Sequence, residues 1–361
     1  MHLDFAWNDV DIVILEGDFM KSRSLLVVIS AFVLANGVIA PSYGNVWQQS
    51  QEDNKQQQYT MTELEKIQHT EFSSVAPLQD VAPAQLSDEN QKMEHDTPRS
   101  TVSVQKNPKD GVSVSNKKLG GASVHVGLPY ADGASEASSV SQGVVSYDNK
   151  NGSSTIPVAK NDGSLQMVTK IDNRDAPTEY KYVMGVPQGA KLVRQDGGSV
   201  LVLGQDGKMI SAVSKPWAVD AQGTPVDTKY IIQGNELIQV IDHTSQDYKY
   251  PIVADPWLGV ELIDRVWVDD VSEGYVVNVA PTTLGRALNE LETHSAHVDE
   301  LKDKLGGDAW RVDDHDGTIR EQFLCHVAGN MFEPHDYNLE SWRPSKHWAL
   351  QLNIFDECNP E

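Results

Sequence analysis

Polar and apolar residues alternate with a period of two along residues 116–256. The stretch SVLVL at 199–203 shows the pattern clearly. Successive side chains of a β-strand point to opposite faces, so this alternation indicates strands with one buried face. Turn-forming pairs such as Asp206-Gly207 separate the alternating stretches. The sequence therefore predicts an antiparallel, all-β middle domain, either a sandwich or a meander, in which residues 199–203 and 208–213 form a hairpin.

The chain ahead of this domain is polar and repetitive. Residues 45–115 contain Gln-rich and acidic tracts (QEDNKQQQ, SDENQKMEHD) and few aromatic residues. Such a composition buries too little apolar surface to offset the entropy of an ordered chain. We therefore expect residues 45–115 to form a disordered N-terminal stalk that acts as a linker.

A secretory signal peptide is predicted over residues 20–44. Basic residues follow Met20, and the apolar run LLVVISAFVLANGVIA then ends in small residues, which is the layout of a signal peptide. Cleavage after Ala40 and cleavage after Gly44 both fit the small-residue rule. The run is short for a membrane anchor, contains Asn36 and is not followed by a cationic stop. We expect a secreted, extracellular protein without a stable membrane anchor.

Residues 1–19 do not fit a signal peptide. They carry five acidic residues, whereas the region before the apolar run of a signal peptide is basic. Our hypothesis is that translation starts at Met20 and that residues 1–19 are a wrongly assigned leader.

The charge of the chain limits its partners. It has 361 residues, with 52 Asp and Glu against 29 Lys and Arg, and a formal net charge of −23. Non-specific binding to nucleic acid or anionic lipid relies on clustered positive charge, so both classes of partner are disfavoured. We expect no nucleic-acid partner and an unknown extracellular partner, with cationic partners favoured by the acidity.

Residues 257–361 differ in composition from the rest of the chain. They hold five of the eight tryptophans, six of the eleven histidines and both cysteines. The pattern predicts a small α+β C-terminal domain, so that the whole chain is multi-domain. The expected elements are strands at 262–268 and 275–279, a helix from Pro281 to Gly306, a helix at 318–327, a polar loop and a last strand near 348–354.

Three motifs in the C-terminal domain resemble a known family. They are QFLCH at 322–326, YNLESWRP at 337–344 and CNP at 358–360. With them, the domain resembles domain of unknown function 2599, which is found at the C-terminus of secreted actinobacterial proteins. The β domain, with KPWAVD at 215–220 and YPIVADP at 250–256, is similar to the module that often precedes it. The resemblance implies a modular secreted protein with any activity in its last domain. The family has no established activity, so it carries over no catalytic residue.

Cys325 and Cys358 are the cysteines of the chain. In an oxidising compartment two cysteines of one domain usually pair, and closing this loop stabilises the domain by about 3–4 kcal/mol on the chain-entropy model. The alternative is a Cys325 nucleophile beside His326. Adjacent residues of a helix point about 100° apart, which is a poor arrangement for proton transfer between them. We therefore predict a disulfide.

Five polar residues bracket the loop between the second helix and the last strand: His326, His335, Asp336, Glu340 and Arg343. If the disulfide holds that loop over the fold, His335 and Asp336 are candidates for a base and its orienting group, and Arg343 for stabilising an anion. In the alternative interpretation, Glu340 and Arg343 form a loop salt bridge and His326 is a core residue. Any activity is expected to depend on His335 or Arg343 more than on His326, because function concentrates in loops.

Neither a metal site nor a cofactor site is predicted. The stretch DDHDG at 313–317 resembles part of a calcium loop, but the alignment places Val312 and Phe323 at ligand positions, and neither supplies an oxygen. His294 and His297 have a spacing that two zinc ligands can share, but no third ligand is indicated.

Two classes of function remain. In the first, the C-terminal domain of a secreted modular protein binds an extracellular partner or surface, with Trp342 and Trp348 on the candidate binding face. In the second, the protein is an exported hydrolase or an antagonistic toxin with its effector site in residues 257–361. A toxin of this kind usually has a cognate immunity protein, encoded by a neighbouring gene.

Overall fold

The computed structural model describes residues 43–67, 76–329, 335–353 and 356–361, with residues 43–54 described by their backbone alone. The leader and nearly all of the predicted signal peptide lie outside the described residues. Residues Gln49–Glu361 form one compact unit. All the interactions reported below lie within this unit.

The described elements follow one another from an N-terminal helix through many strands to a mixed C-terminal part. The α-helices are α1 (Tyr43–Ile67), α2 (Thr283–Ala287), α3 (His294–Leu305), α4 (Thr318–Gly329) and α5 (Trp348–Gln351). Short 3-10 helices lie at Pro108–Asp110, Lys117–Leu119, Leu291–Thr293, Gly306–Val312 and His315–Gly317. The strands are β1 (Leu86–Ser87), β2 (Lys92–Asp96), β3 (Ser100–Gln105), β4 (Val112–Asn116), β5 (Ala122–Gly127), β6 (Ser138–Ser141), β7 (Val144–Asp148), β8 (Ser153–Ala159), β9 (Leu165–Ile171), β10 (Glu179–Gly185), β11 (Lys191–Arg194), β12 (Val200–Leu203), β13 (Met209–Val213), β14 (Trp217–Val219), β15 (Thr228–Gln233), β16 (Glu236–Ile241), β17 (Ile252–Asp255), β18 (Trp257–Gly259), β19 (Ile263–Val271), β20 (Gly274–Pro281) and β21 (Tyr337–Glu340).

Most of the strands belong to two antiparallel sheets. The first sheet has the order β1-β2-β3-β4-β5-β10-β16-β15. The second has the order β11-β12-β13-β18-β9-β8-β7-β6, and β17 pairs with both β9 and β14. The predicted antiparallel β fold is therefore confirmed. The predicted hairpin is also confirmed, because β12 and β13 pair on either side of Asp206-Gly207.

The two sheets pack as a sandwich. Val102 and Val114 of the first sheet and Tyr147 and Met167 of the second belong to one buried cluster. Strand β10 alternates strictly between exposed and buried residues, which is typical of a sheet with one solvated face. By contrast, β8 and β9 are buried at every position. The face of the second sheet that points away from the first sheet is therefore covered by other parts of the chain.

Two segments cover this face of the second sheet. At one end, Leu64 and Ile67 of α1 share a buried cluster with Trp217 of β14. At the other end, Leu201 of β12 and Ala212 of β13 belong to the core of the C-terminal region, which we define as residues 260–361. The second sheet is thus an interior layer, with apolar residues on both faces.

The prediction of a disordered linker is wrong for residues 76–115. Strands β1 to β4 belong to the first sheet, and Val102, Val104, Val112 and Val114 of these strands are buried. The sequences TVSV and VSVS have the period-two pattern of a strand, but valine rather than aromatic residues supplies the buried surface. The β domain therefore begins well before residue 116.

The C-terminal region adds a third antiparallel sheet with the order β19-β20-β21. One face of this sheet packs against Leu301 of α3 and Phe323 of α4. The predicted strand pair and the predicted second helix are confirmed by β19, β20 and α4. The predicted first helix is interrupted, because α2 ends at Ala287 and α3 begins at His294.

The end of the region differs from the sequence prediction in two places. Residues 337–340, predicted as loop, form β21, with Tyr337 and Leu339 buried. The predicted last strand near 348–354 begins instead as helix α5, where the His347 side chain accepts a hydrogen bond from the backbone N–H of Ala349. Four residues of alternation are too few to distinguish a strand from a loop without the pairing partner, which here is β20.

Buried charges join the C-terminal region to the sandwich. Glu261, almost fully buried, pairs with Arg99 at 2.6 Å, with Lys118 at 2.9 Å and with Lys304 of α3 at 3.5 Å. Arg99 and Lys118 lie next to strands of the first sheet. We call this group the Glu261 joint. It links three parts of the chain through one carboxylate.

A second carboxylate fixes the start of β19. Oε2 and Oε1 of Glu300 accept hydrogen bonds from the backbone N–H groups of Leu262 and Ile263 at 2.9 and 3.0 Å. Burial raises the pKa of Glu300 to about 7.

Strand β18 also pairs within the second sheet, so the sheet continues beyond the boundary predicted after residue 256. The sandwich and the C-terminal region share a core at this point.

Candidate functional site

The predicted disulfide is confirmed. Cys325 of α4 is bonded to Cys358 of the C-terminal tail, with a Cα–Cα distance of 5.4 Å. Both cysteines are buried. The bond ties α4 to the tail, and the alternative of a Cys325 thiolate nucleophile is excluded because its sulfur is bonded.

His326 lies in packed surroundings on α4. Its ring stacks on the ring of Tyr337 with centroids 4.9 Å apart and an interplanar angle of 9°. Burial lowers the pKa of His326 to about 4, against a smaller opposing effect of the Asn359 side chain. The imidazole is therefore neutral at pH 7. This geometry agrees with the interpretation of His326 as a core residue.

The other four predicted residues do not converge on one point. His335 and Asp336 precede β21, where Asp336 accepts a hydrogen bond from Arg265 at 3.3 Å and the His335 side chain is exposed. Glu340 and Arg343 lie at the far end of β21 and form an ion pair. The four residues of β21 place the two pairs roughly 13 Å apart along the strand. The structure thus separates the proposed base from the proposed anion-binding group.

Arg343 lines an open cleft at the end of the third sheet. The cleft has a volume of about 350 Å³. Trp342, also predicted as a binding residue, lies on the same wall and is 38% exposed. The lining residues are Glu273, Gly274, Tyr275, His315, Asp316, Ser341, Trp342, Arg343, Pro344 and Ser345. We call this site the cleft.

Trp348, the second predicted binding residue, has different surroundings. Its ring packs edge-on against His294 with centroids 4.9 Å apart, and its backbone N–H donates to Oε2 of Glu321 at 2.8 Å. The side chain is only partly exposed. Trp348 therefore packs against α3 and does not line the cleft.

A carboxylate connects two polar side chains of the cleft. The hydroxyl of Tyr275 donates to Oδ2 of Asp314 at 3.1 Å, and Nε2 of His315 lies 3.4 Å from the same oxygen. Burial raises the pKa of Tyr275, so the phenol keeps its proton and acts as a donor. The guanidinium of Arg311 lies over the Tyr275 ring, 4.3 Å from its centroid. The arrangement can donate to, and accept from, a polar ligand.

The backbone beside the cleft has an uncommon conformation. His315, Asp316 and Gly317 have φ angles of 48°, 57° and 77°. Non-glycine residues in this left-handed region cost on the order of 1 kcal/mol or more each, and such residues cluster at functional sites. The hydroxyl of Ser345 donates to the carbonyl of Asp316 at 2.9 Å and helps to hold the loop. The conformation places His315 at the cleft.

Sequence reasoning missed Tyr275, Asp314 and His315 as site residues. In the sequence, DDHDG at 313–317 indicates only an incomplete calcium loop. Its three consecutive left-handed residues are not visible in the sequence beyond the single glycine. In the described part of the chain, no three His, Cys, Asp or Glu side chains lie together in a way that would hold a metal ion. Among the described residues, every helix is too short or too polar to span a lipid bilayer.

Comparison with known families adds one finding. Residues 263–361 match the family described as "Protein of unknown function (DUF2599)". The resemblance noted in the sequence is thereby confirmed for these residues, which we call the DUF2599 region. A search of curated proteins gives no match to the chain. The cleft and the disulfide both lie within the DUF2599 region.

Proposed function

We propose that this protein is secreted and that its DUF2599 region binds an extracellular partner or surface through the cleft. The observation that carries the proposal is one open cleft lined by an exposed indole (Trp342), a guanidinium (Arg343) and the side chains of Tyr275 and His315. The neighbouring Asp314 carboxylate connects Tyr275 with His315. Binding sites typically combine aromatic surface with a few polar groups that fix the orientation of a ligand.

Two further features support secretion. The predicted signal peptide supplies an export signal, and a disulfide such as Cys325–Cys358 persists in an oxidising compartment. In the proposed arrangement the sandwich carries the DUF2599 region, and no nucleic acid or membrane anchor takes part. N-terminal sequencing of the secreted protein is expected to find a mature chain that begins after Ala40 or Gly44.

The binding function is tested with purified, labelled protein on three kinds of material. These are insoluble cell-envelope polysaccharide, immobilised basic and acidic peptides, and anionic phospholipid vesicles. We expect retention on one of them, weakened about tenfold or more by Trp342→Ala combined with Arg343→Gln. Leu291→Ala is the control, because Leu291 is an exposed apolar residue of the same region that does not line the cleft.

Two results would contradict the proposal. One is that the double variant is retained as strongly as the wild type. The other is that the wild type is retained on none of the three materials. Thermal unfolding of both variants should match that of the wild type, since the changes are made at partly exposed side chains.

A second candidate function is an exported hydrolase or antagonistic toxin. The observation that favours it is the Asp314 carboxylate next to the His315 imidazole at 3.4 Å, because a carboxylate can orient a histidine that acts as a general base. The test is a hydrolysis panel and a toxicity assay on export, each with His315→Gln and with His335→Ala. Loss of activity with His315→Gln alone supports this function. A cognate immunity protein encoded nearby would be its expected partner.

A further inference from the structure

The third sheet has a second face that turns away from the core. Val266 and Val268 of β19, Val277 of β20 and Leu339 of β21 pack into the core. The residues between them therefore lie on the opposite side, because side chains alternate along a strand. We call this side the outer face. It carries Arg265, Trp267, Asp269, Asn278, Asn338 and Glu340, together with the apolar Val276 and Ala280 of β20.

The outer face carries a chain of hydrogen bonds that runs across all three strands. Trp267, Asn278 and Asn338 are cross-strand neighbours. Nδ2 of Asn278 donates to Oδ2 of Asp269 at 2.9 Å, and Nδ2 of Asn338 donates to Oδ1 of Asn278. These bonds fix the amide planes before any ligand arrives. Polar groups that are already ordered lose less entropy on binding.

The hydrogen-bond chain leaves acceptors facing solvent. Asn278 is only 4% exposed and acts as the central support, whereas Asn338 and Asp269 are exposed. Each amide oxygen and carboxylate oxygen has lone pairs for more than one donor. Hydroxyl groups are donors of the matching kind. The face therefore suits a ligand that is rich in hydroxyl groups.

Charge on the outer face is largely compensated. Asp336 at its border pairs with Arg265 at 3.3 Å, and Glu340 pairs with Arg343. This local balance contrasts with residues 257–361 as a whole, where 21 acidic residues face 8 basic ones. A basic peptide would meet Asp336 and Glu340 already paired with arginines, which leaves it Asp269, a carboxylate that accepts from the Asn278 amide. An anionic polymer would meet an acidic surrounding. A neutral ligand avoids both costs.

Trp267 supplies the aromatic surface. The side chain is 36% exposed, and the Arg265 guanidinium lies over its ring, 5.4 Å from the centroid. A sugar that stacks on this face displaces the Arg265 side chain, which is itself 64% exposed. The face of an indole is electron-rich, so it attracts groups with partial positive charge. The C–H groups on one side of a sugar ring carry such charge and form a flat apolar patch. An indole beside fixed amide and carboxylate acceptors therefore matches both parts of a sugar.

We propose that the outer face binds a neutral polysaccharide, with Trp267 stacked on one sugar ring and Asn338 and Asp269 accepting hydrogen bonds from its hydroxyls. The proposal rests on the proposed binding function, since it names the ligand class and extends the binding surface beyond the cleft. The Glu340–Arg343 ion pair connects the outer face with the cleft, because Glu340 lies on the outer face and Arg343 lines the cleft.

The test is calorimetric titration of the purified protein with neutral β-1,4-linked hexasaccharides of glucose, xylose, mannose and N-acetylglucosamine. Hexalysine and polygalacturonate serve as charged probes. We expect at least one hexasaccharide to bind, with affinity reduced about tenfold by Trp267→Ala, less by Asn338→Ala, and little by Trp267→Phe. Ile231→Ala is the matched control, because Ile231 is also 36% exposed but lies on β15 of the first sheet.

The outcomes separate this proposal from the function proposed for the cleft. If no neutral hexasaccharide binds, or if Trp267→Ala binds it like the wild type, the assignment of the outer face is overturned. If a charged probe binds instead and only the cleft variant weakens it, the cleft function stands and the polysaccharide assignment fails. Equal thermal unfolding of Trp267→Ala and wild type confirms that the loss of affinity concerns binding.

Discussion

The sandwich and the C-terminal region are stabilised in different ways. In the sandwich, alternate residues of many short strands meet in one large core, and backbone pairing between strands sets the arrangement. The C-terminal region has a smaller core and depends on individual contacts: the Cys325–Cys358 disulfide, the buried His294 and the Glu261 joint. A small region can therefore hold its sheet in place through specific contacts on one face and leave much of the other face exposed.

The largest expected effect concerns the residue that both regions share. Trp257 of β18 is fully buried in the core of the C-terminal region, and its Nε1 donates to Oγ of Ser164 at 2.8 Å. We expect Trp257→Ala to lower the free energy of unfolding by about 3–5 kcal/mol, because it leaves a cavity between the two regions. Hydrogen exchange should increase in both β9 and α4. Trp257→Phe is the milder control, and unchanged exchange in α4 would argue against a shared core.

Removal of the disulfide is expected to affect the C-terminal region more selectively. Cys325→Ser combined with Cys358→Ser opens a loop with a sequence separation of 33 residues. On the chain-entropy model the free energy of unfolding falls by about 3–4 kcal/mol. Hydrogen exchange should increase in α4 and the tail while β8 and β9 stay protected. Equal loss in β8 would show that the two regions unfold together, and non-reducing peptide mapping of the wild type checks the bond itself.

A pH effect is expected to arise from buried histidine in the C-terminal region. Burial lowers the pKa of His294 to about 4, with a smaller contribution from His297. The pKa of His294 is lower in the folded protein than in the unfolded chain. The contribution of His294 to the free energy of unfolding is therefore complete above about pH 6.5 and is lost as the pH falls towards 4. The loss amounts to roughly 3 kcal/mol at most.

Urea unfolding between pH 7.5 and pH 4 tests this expectation. His294→Phe keeps a ring against Trp348 and removes the titrating group, so its stability should depend less steeply on pH than that of the wild type. Glu300, whose pKa is raised to about 7, makes the free energy of unfolding increase as the pH falls. It does so equally in the wild type and in His294→Phe, so its effect cancels when the two pH profiles are compared. Parallel curves for the two proteins would contradict the assignment to His294.

The smallest expected effect concerns the outer face. Arg265 and Asp336 are exposed enough for their ion pair to contribute little, since such pairs are worth about 1 kcal/mol or less. We expect Asp336→Asn to change the free energy of unfolding by less than about 1 kcal/mol, as measured by chemical denaturation. A larger loss would mean that the outer face stabilises the sheet and would weaken its assignment to binding.

Sequence periodicity predicts the parts of this fold that have strong patterns. The hairpin around Asp206-Gly207 and helix α4 follow from alternation and from helical spacing. The linker prediction failed at residues 76–115 because it relied on composition, although the alternating valines of β3 and β4 carried the opposite signal. Strand β21 was missed because only its pairing with β20 distinguishes it from a loop.

The candidate site was harder to predict than the fold. Trp342 and Arg343 were named from the sequence and do line the cleft. Their neighbours Tyr275 and His315 are far from them in sequence and are brought close by the pairing of β20 with β21 and by the left-handed loop. Such proximity depends on tertiary structure. The same holds for Trp267, whose exposure depends on which face of β19 meets the helices.

The Glu261 joint limits how freely the DUF2599 region can be exchanged between proteins. Its carboxylate precedes the matched residues 263–361, and two of its cationic partners, Arg99 and Lys118, lie far upstream beside strands of the first sheet. A gene fusion that transfers only the matched residues would remove Glu261 as a partner of Lys304. It would also expose the apolar surface that Leu201 and Ala212 cover. A fusion that folds therefore requires an upstream module that supplies this acid, its cationic partners and a matching apolar surface. In other chains that carry this region, the acid at this position and its upstream cations should be inherited together.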